Sequence, residues 1–249
     1  MLFAEEHGGG STGPPLVLIH GAGGNRLVWP SALRRLSGAH VFAVDLPGHG
    51  KSPPILDVRI ESYADHLEAW RVGAGVGPVV LAGHSMGAAV ALTVALQAPS
   101  GVAGLALIGS GPSLPVNPAL LERTAQETTF TSAVEDILAW SFAPEASSRW
   151  IDLVRTRMIE SGPAQLHADL AACNAFDLTN RLGEIAAPSL VVVGSNDRMV
   201  RPRQAEALQA GLPRARLATV EGSGHMVMLE DPAAVTELLR AFLTEIAAA

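Results

Sequence analysis

Gly83-His84-Ser85-Met86-Gly87 stands between an apolar run at 79–82 and a longer one at Met86–Gln97. The first has the length of a buried strand, the second that of a buried helix. A serine at the tip of so sharp a strand-to-helix turn has its hydroxyl lifted clear of the backbone, while the residues two before and two after are crowded and must be tiny. Gly83 and Gly87 meet that demand, which distinguishes a nucleophile elbow from a chance Gly/Ser turn. The helix N-terminus beneath Ser85 also aims backbone N–H groups at any negative charge formed there. A serine hydroxyl attacks poorly until a base takes its proton, and the base needs an acid to orient it. Asp197, in Gly194-Ser195-Asn196-Asp197, follows the apolar run 190–193, and His225, in Gly222-Ser223-Gly224-His225, follows 217–220. Taken singly, Asp197 also suits an Asx turn and His225 a hydrogen-bonded loop. In chain order, and each beyond a strand-like run, Ser85, Asp197 and His225 form a candidate nucleophile, acid and base. Ala22, in His20-Gly21-Ala22-Gly23-Gly24 after Leu16–Ile19, supplies one candidate oxyanion donor through its N–H. The Met86 N–H supplies the other, each worth about 3 kcal/mol of barrier. The competing reading is a glycine-rich connector. His20 is expected to brace this loop, not to react.

Elements able to hold these groups follow from the hydrophobic pattern. Apolar runs recur at Leu16–Ile19, 41–44, 79–82, 105–108, 190–193 and 217–220, each bounded by Gly, Pro, Ser, Asn or Asp. Continuous rather than alternating runs mark strands buried on both faces, and helical segments between them predict a parallel α/β sheet. The candidate acid and base then lie in loops at the carboxyl ends of strands, where open α/β sheets place ligands. Met86–Gln97 is apolar all round and is expected to be fully covered. Asp231 followed by Pro232 predicts the start of the last helix.

The stretch 112–180 holds no good strand. Asn117-Pro118 opens one expected helix, Ser132 precedes a second, Ser147 or Ser148 opens a third around 150–160, and 163–175 suggests a fourth. This reads as a helical cap inserted into a single domain whose core is about 1–111 and 181–249. A flexible turn is expected at 8–13. Residues 72–121 carry no Asp, Glu, Lys or Arg, but Gly, Pro and Ser cut the run into pieces shorter than the ~20 residues of a membrane helix.

These residues resemble the α/β-hydrolase superfamily from about Leu16 to the C-terminus. His20-Gly21-Ala22-Gly23 is similar to its oxyanion loop, Asp45-Leu46-Pro47-Gly48-His49-Gly50-Lys51-Ser52 to its structural turn after the next strand, and Ser85, Asp197 and His225 to its triad. The resemblance implies an α/β-hydrolase fold, a mostly parallel, doubly wound sheet with a helical cap insertion. Serine at the nucleophile position sets the chain apart from the dehalogenase and epoxide-hydrolase branches, which carry aspartate. The N-terminus is short for the family's first strand.

Composition narrows the chemistry. The 249 residues carry 17 Lys+Arg against 24 Asp+Glu, a formal charge of −7, with 48% hydrophobic residues. That is too apolar for general disorder and too acidic for a broad nucleic-acid surface. One cysteine, Cys173, allows neither an internal disulfide nor a cysteine zinc cluster, and is expected to be a small buried hydrophobe. With an acidic N-terminus unlike a signal peptide, this points to the cytoplasm. Gly50-Lys51-Ser52 imitates the end of a P-loop, but Asp45 stands where its first glycine belongs and Pro53-Pro54 forbids the following helix. No H-E-x-x-H pair or tight His/Asp/Glu cluster appears, so neither metal nor cofactor is expected.

The expected activity is serine hydrolysis of carboxylic esters of small to medium, largely uncharged substrates through an acyl-enzyme on Ser85, because the segments near the site are apolar without a basic cluster. Lactonase, thioesterase and C–C bond hydrolase chemistry use the same groups. A cofactor-free perhydrolase or lyase and a non-catalytic ligand-binding member are less favoured. The expected partner is a small-molecule ester, with monomer and homodimer both open. Met226, Met228, Leu229, Trp140, Phe142 and Trp150 are divided between pocket and core roles.

Overall fold

The computed structural model describes residues 1–8 and 13–248. The glycine-rich turn expected at 8–13 falls mostly on residues 9–12, outside the described residues. Strands β1 (Phe3–His7), β2 (Leu16–Ile19), β3 (Val41–Asp45), β4 (Val79–His84), β5 (Val102–Ile108), β6 (Ser189–Gly194) and β7 (Ala215–Val220) form one sheet in the order β1-β3-β2-β4-β5-β6-β7. Of the strand pairs of this sheet, only β1–β3 is antiparallel among the described residues. Helices α1 (Ser31–Arg34), α2 (Ile60–Gly73), α3 (Met86–Gln97), α4 (Pro118–Thr124), α5 (Glu127–Ser141), α6 (Ser148–Ala175), α7 (Pro202–Gly211), α8 (Val227–Glu230) and α9 (Pro232–Ala247) complete the element order.

Side chains alternate across each central strand, and this splits the core in two. Val17 and Ile19 of β2, Leu81 of β4 and Val191 of β6 pack with α2, α3 and α7 on one face. Leu16 and Leu18, Val80 and Leu190 pack with α1, α8 and α9 on the other. Burial on both faces is what a doubly wound sheet requires of its strands, and each fully buried Leu or Val stabilises the fold by about 2 kcal/mol relative to exposure. α3 is apolar on every side because the sheet, α2 and the segment above it surround it; its residues 86–95 are all buried.

Between β5 and β6, helices α4, α5 and α6 pack on one another. Asn117 caps α4 as the sequence suggests, accepting the Ala119 N–H at 2.9 Å with Pro118 next in line. Asp231 does the same for α9, accepting the Ala234 N–H at 2.9 Å. Ser147 is the N-cap residue of α6, and Gly162 (φ 77°) breaks that helix ahead of Pro163, dividing it into the two segments expected.

Three expectations are corrected. Ser132 does not precede a helix: α5 already starts at Glu127, and the Ser132 hydroxyl is satisfied inside it, donating to the Thr129 carbonyl at 2.8 Å. The short N-terminus does supply a strand. β1 escapes a search for apolar runs because it is built on pairing to β3 and on Glu5, which bonds Arg26 at 2.9 Å and Arg34 at 2.7 Å. β7 is not buried on both faces, since it forms the far edge of the sheet and stays half-exposed until Val220.

Candidate active site

Ser85 joins β4 to α3 as the residue between them, with φ 53° and ψ −117°, and among the described residues it is the one non-glycine with positive φ. Such strain persists only where the surroundings impose it. Here they do: a Cβ on Gly83 would lie 2.2 Å from the Gly87 carbonyl oxygen, and one on Gly87 would lie 2.4 Å from that of Ile19. The turn thus needs glycine on both flanks.

Asp197 and His225 arrive from the loops after β6 and β7 and meet. His225 Nδ1 donates to Asp197 Oδ2 at 2.8 Å, with both residues buried. The second oxygen of Asp197, Oδ1, accepts the N–H groups of Met199 at 2.9 Å and Val200 at 2.8 Å. The Asx turn and the contact with histidine are therefore two uses of one carboxylate. The His225 backbone is held at both ends, its N–H donating to the Ser141 carbonyl at 2.8 Å and its carbonyl accepting His84 Nε2–H at 3.0 Å. Among the described residues no protein atom hydrogen-bonds His225 Nε2, which leaves that nitrogen available to take a proton.

Ser85 and His225 share the wall of one cavity with Gly21, Ala22, Leu166 and Leu170. Its volume is ≈ 90 Å³. Met226 lines this cavity, whereas Met228, Leu229 and Phe142 belong to the packed core; Cys173 is buried and touches both. A wider groove continues outward past Pro115, Val116, Met199 and Gln204, with Trp140 on its wall; Trp150 packs at the margin of the core. Arg198, Arg201 and Arg203 border this outer groove. Basic groups thus stand at the mouth, brought there by the loop that also carries Asp197 and by the start of α7, though none lines the inner cavity.

The loop after β2 lies beneath the cavity. His20 is fully buried and braces it: its Nδ1 donates to the Gly21 carbonyl at 2.8 Å and its Nε2 accepts the Leu46 N–H at 3.0 Å. Among the described residues, neither the Ala22 N–H nor the Met86 N–H has a protein acceptor. The turn at 45–52 ties down the neighbouring strand end. Asp45 accepts from the Arg26 and Lys51 N–H groups at 2.8 and 2.9 Å, and Ser52 donates to the Asp45 carbonyl at 2.6 Å.

Residues outside the sequence motifs also reach this region. Tyr63 and Gln165 converge on Asp169, which also meets His49 of the 45–52 turn, while His84 of the elbow pins the His225 carbonyl. Burial pulls the pKa of His20 down to about 4 and that of His84 well below its ordinary 6.5. Both rings are neutral when folded, each donating through one nitrogen. As the pH falls from 6.5 towards 4, the unfolded chain takes up protons that the folded chain refuses, so stability is present above 6.5 and drains through that window. The urea midpoint is expected to fall across it, and less steeply in His84→Gln. A flat midpoint in the wild type would contradict this assignment.

Residues 16–238 match the model of the alpha/beta hydrolase family, and the chain belongs to that family. It is 31% identical over 241 residues to the pimeloyl-(acyl-carrier protein) methyl ester esterase of Nitrosomonas europaea, covering 88% of this chain and 92% of that protein. It is also 31% identical over 250 residues to polyketide synthase ThaQ of Burkholderia thailandensis, covering 95% of this chain but spanning only 12% of that far longer protein. A solved thermophilic esterase from Thermogutta terrifontis superposes with a TM-score of 0.89 at 25% identity, over 99% of this chain and 94% of that one. The chain is thus an α/β hydrolase related to esterases. Among the described residues, no helix is long and apolar enough to cross a membrane.

Proposed function

We propose that this chain hydrolyses carboxylic esters through an acyl-enzyme on Ser85. The observation that carries this reading is the 2.8 Å hydrogen bond that Asp197 Oδ2 accepts from Nδ1 of His225, the ring that shares a cavity wall with Ser85 on its strained turn. His225 Nε2 takes the Ser85 proton as Oγ attacks the ester carbon. Asp197 holds the ring in the Nδ1–H tautomer and stabilises the imidazolium. The carbonyl oxygen, now negative, accepts the Ala22 and Met86 N–H groups. Collapse breaks the C–O bond, and the alcohol leaves with the proton held on His225. Water then repeats the sequence: His225 takes its proton, hydroxide adds to the acyl carbon, and Ser85 leaves reprotonated.

The substrate portion that enters the cavity is uncharged, because its walls are mostly apolar and an unpaired charge there would lose its hydration. Helices α4–α6 act as the cap that closes over it within a single domain, and small changes there set which acyl chains fit. The esterase relatives support ester hydrolysis as the reaction, and the single unpaired, buried Cys173 is compatible with the reducing cytoplasm.

A series of p-nitrophenyl esters from acetate to palmitate tests this. The modest inner volume predicts turnover that peaks between acetate and hexanoate and collapses by palmitate. A maximum at palmitate would contradict the assigned acyl site, and absence of turnover across the series would contradict ester hydrolysis.

A further inference from the structure

Asp169 sits on α6 beyond the break at Gly162, and none of its surface reaches solvent. Its two oxygens accept four hydrogen bonds. Oδ2 takes the Gly23 N–H at 2.8 Å and His49 Nε2–H at 2.8 Å, while Oδ1 takes the Tyr63 hydroxyl at 2.6 Å and Gln165 Nε2–H at 2.9 Å. His49 donates through its other nitrogen to the Pro47 carbonyl at 3.0 Å, so the ring is doubly protonated. Burial alone would neutralise both partners, but each holds the other charged: Asp169 raises the His49 pKa, and His49, Tyr63 and Gly23 lower that of Asp169. A buried ion pair is a poor way to gain stability, since apolar replacements often serve as well. Its value here lies in what it grips.

The grip falls on the peptide next to the proposed oxyanion donor. The Ala22 N–H shares its peptide unit with the Gly21 carbonyl, which is fixed by Gly24 N–H at 3.1 Å and His20 Nδ1–H at 2.8 Å. The following peptide is fixed by Asp169 through the Gly23 N–H. The chain at Gly23 (φ +63°) also runs hard against α6, where a Cβ would lie 2.8 Å from Leu166 Cδ1. Leu166, Leu170 and Cys173, on the same helical segment as Asp169, line the cavity. The segment that would touch the acyl chain is therefore the one that holds the oxyanion loop.

We propose that Asp169 is a positioning residue for the reaction: through the Gly23 N–H it aims the Ala22 N–H at the developing oxyanion, so that the hole is complete only while the second half of α6 is seated. This rests on the reading of Ser85 and Ala22 given above.

The test compares wild type, Asp169→Leu and Tyr63→Phe in ester hydrolysis and in binding two probes. One probe is an alkyl trifluoromethyl ketone, which adds to the serine and forms an oxyanion. The other is the corresponding secondary alcohol, which cannot add. Asp169→Leu, which removes the acceptor for the Gly23 N–H at similar side-chain volume, is expected to lower kcat roughly 10- to 100-fold with KM within about three-fold, and to weaken the ketone by the same factor while the alcohol binds as before. Tyr63→Phe, which leaves the Gly23 contact in place, is expected to lower thermal stability with kcat within about three-fold. Where Asp169→Leu does not fold, the double variant Asp169→Leu/His49→Leu takes its place; it leaves no buried charge unpaired, still removes the acceptor for the Gly23 N–H, and is expected to lower kcat and ketone affinity together by a similar factor. Equal ketone affinity in wild type and Asp169→Leu (or the double variant in its place), or losses of kcat that follow thermal stability in both variants, overturns the positioning role alone. A wild type that hydrolyses esters yet does not bind the ketone more tightly than the alcohol overturns the underlying serine reading as well.

Discussion

Ser85→Ala is expected to lower kcat by about 10⁵-fold with KM little changed, because attack, proton transfer and acyl transfer all act through one oxygen. The fold should survive the change. The sharp turn is imposed by Gly83 and Gly87 and by the Ser85 N–H bonded to the Ile108 carbonyl at 2.8 Å, and alanine keeps every one of those contacts. The loss should therefore appear in steady-state turnover without a change in thermal midpoint beyond a few degrees. Hydrolysis within a few-fold of wild type would remove Ser85 from the chemistry.

The second large effect concerns Asp197. Its Oδ1 holds the turn through Met199 and Val200, while Oδ2 faces His225. Asparagine can keep the first role by presenting its carbonyl oxygen to the turn, but it then turns an N–H₂ donor towards His225 Nδ1. The ring must switch tautomer to accept it, which places the proton on Nε2, where the base should be empty. Asp197→Asn is expected to lower kcat by about 10⁴-fold while leaving urea stability within about 1 kcal/mol of wild type. Asp197→Ala removes both roles and is expected to lose stability as well. An Asn variant that is destabilised but otherwise active would reduce Asp197 to a turn residue.

These features differ in how far the sequence carries them. The elbow is legible because its demand is local: two glycines, a strand-like run and a helix-like run lie within 20 residues. Asp197 and His225 are legible because parallel strands deliver loops to one edge of the sheet, so chain order stands in for geometry. The network around Asp169 is different. Gly23 and His49 reach it across sequence separations of 146 and 120 residues, and Tyr63 across 106. No spacing rule links them, and an isolated aspartate in a helical pattern reads as a solvated face until tertiary packing buries it. β1 is hidden for a related reason, since its stability comes from ladder bonds and ion pairs rather than from an apolar run. The start of α5 is missed because Ser132 resembles a cap, yet a serine hydroxyl is equally satisfied by a carbonyl one turn back within a helix. The arginines of the outer groove carry no motif; only the path of the loop after β6 and the start of α7 brings them to the mouth.

The most direct test of the central claim is to inactivate the protein with an alkyl fluorophosphonate and map the adduct by peptide mass spectrometry. The serine mechanism predicts one phosphonyl group per chain, on the peptide containing Ser85, with modification and loss of ester hydrolysis advancing together. An adduct on another residue, or full hydrolysis by protein fully modified at Ser85, would contradict it.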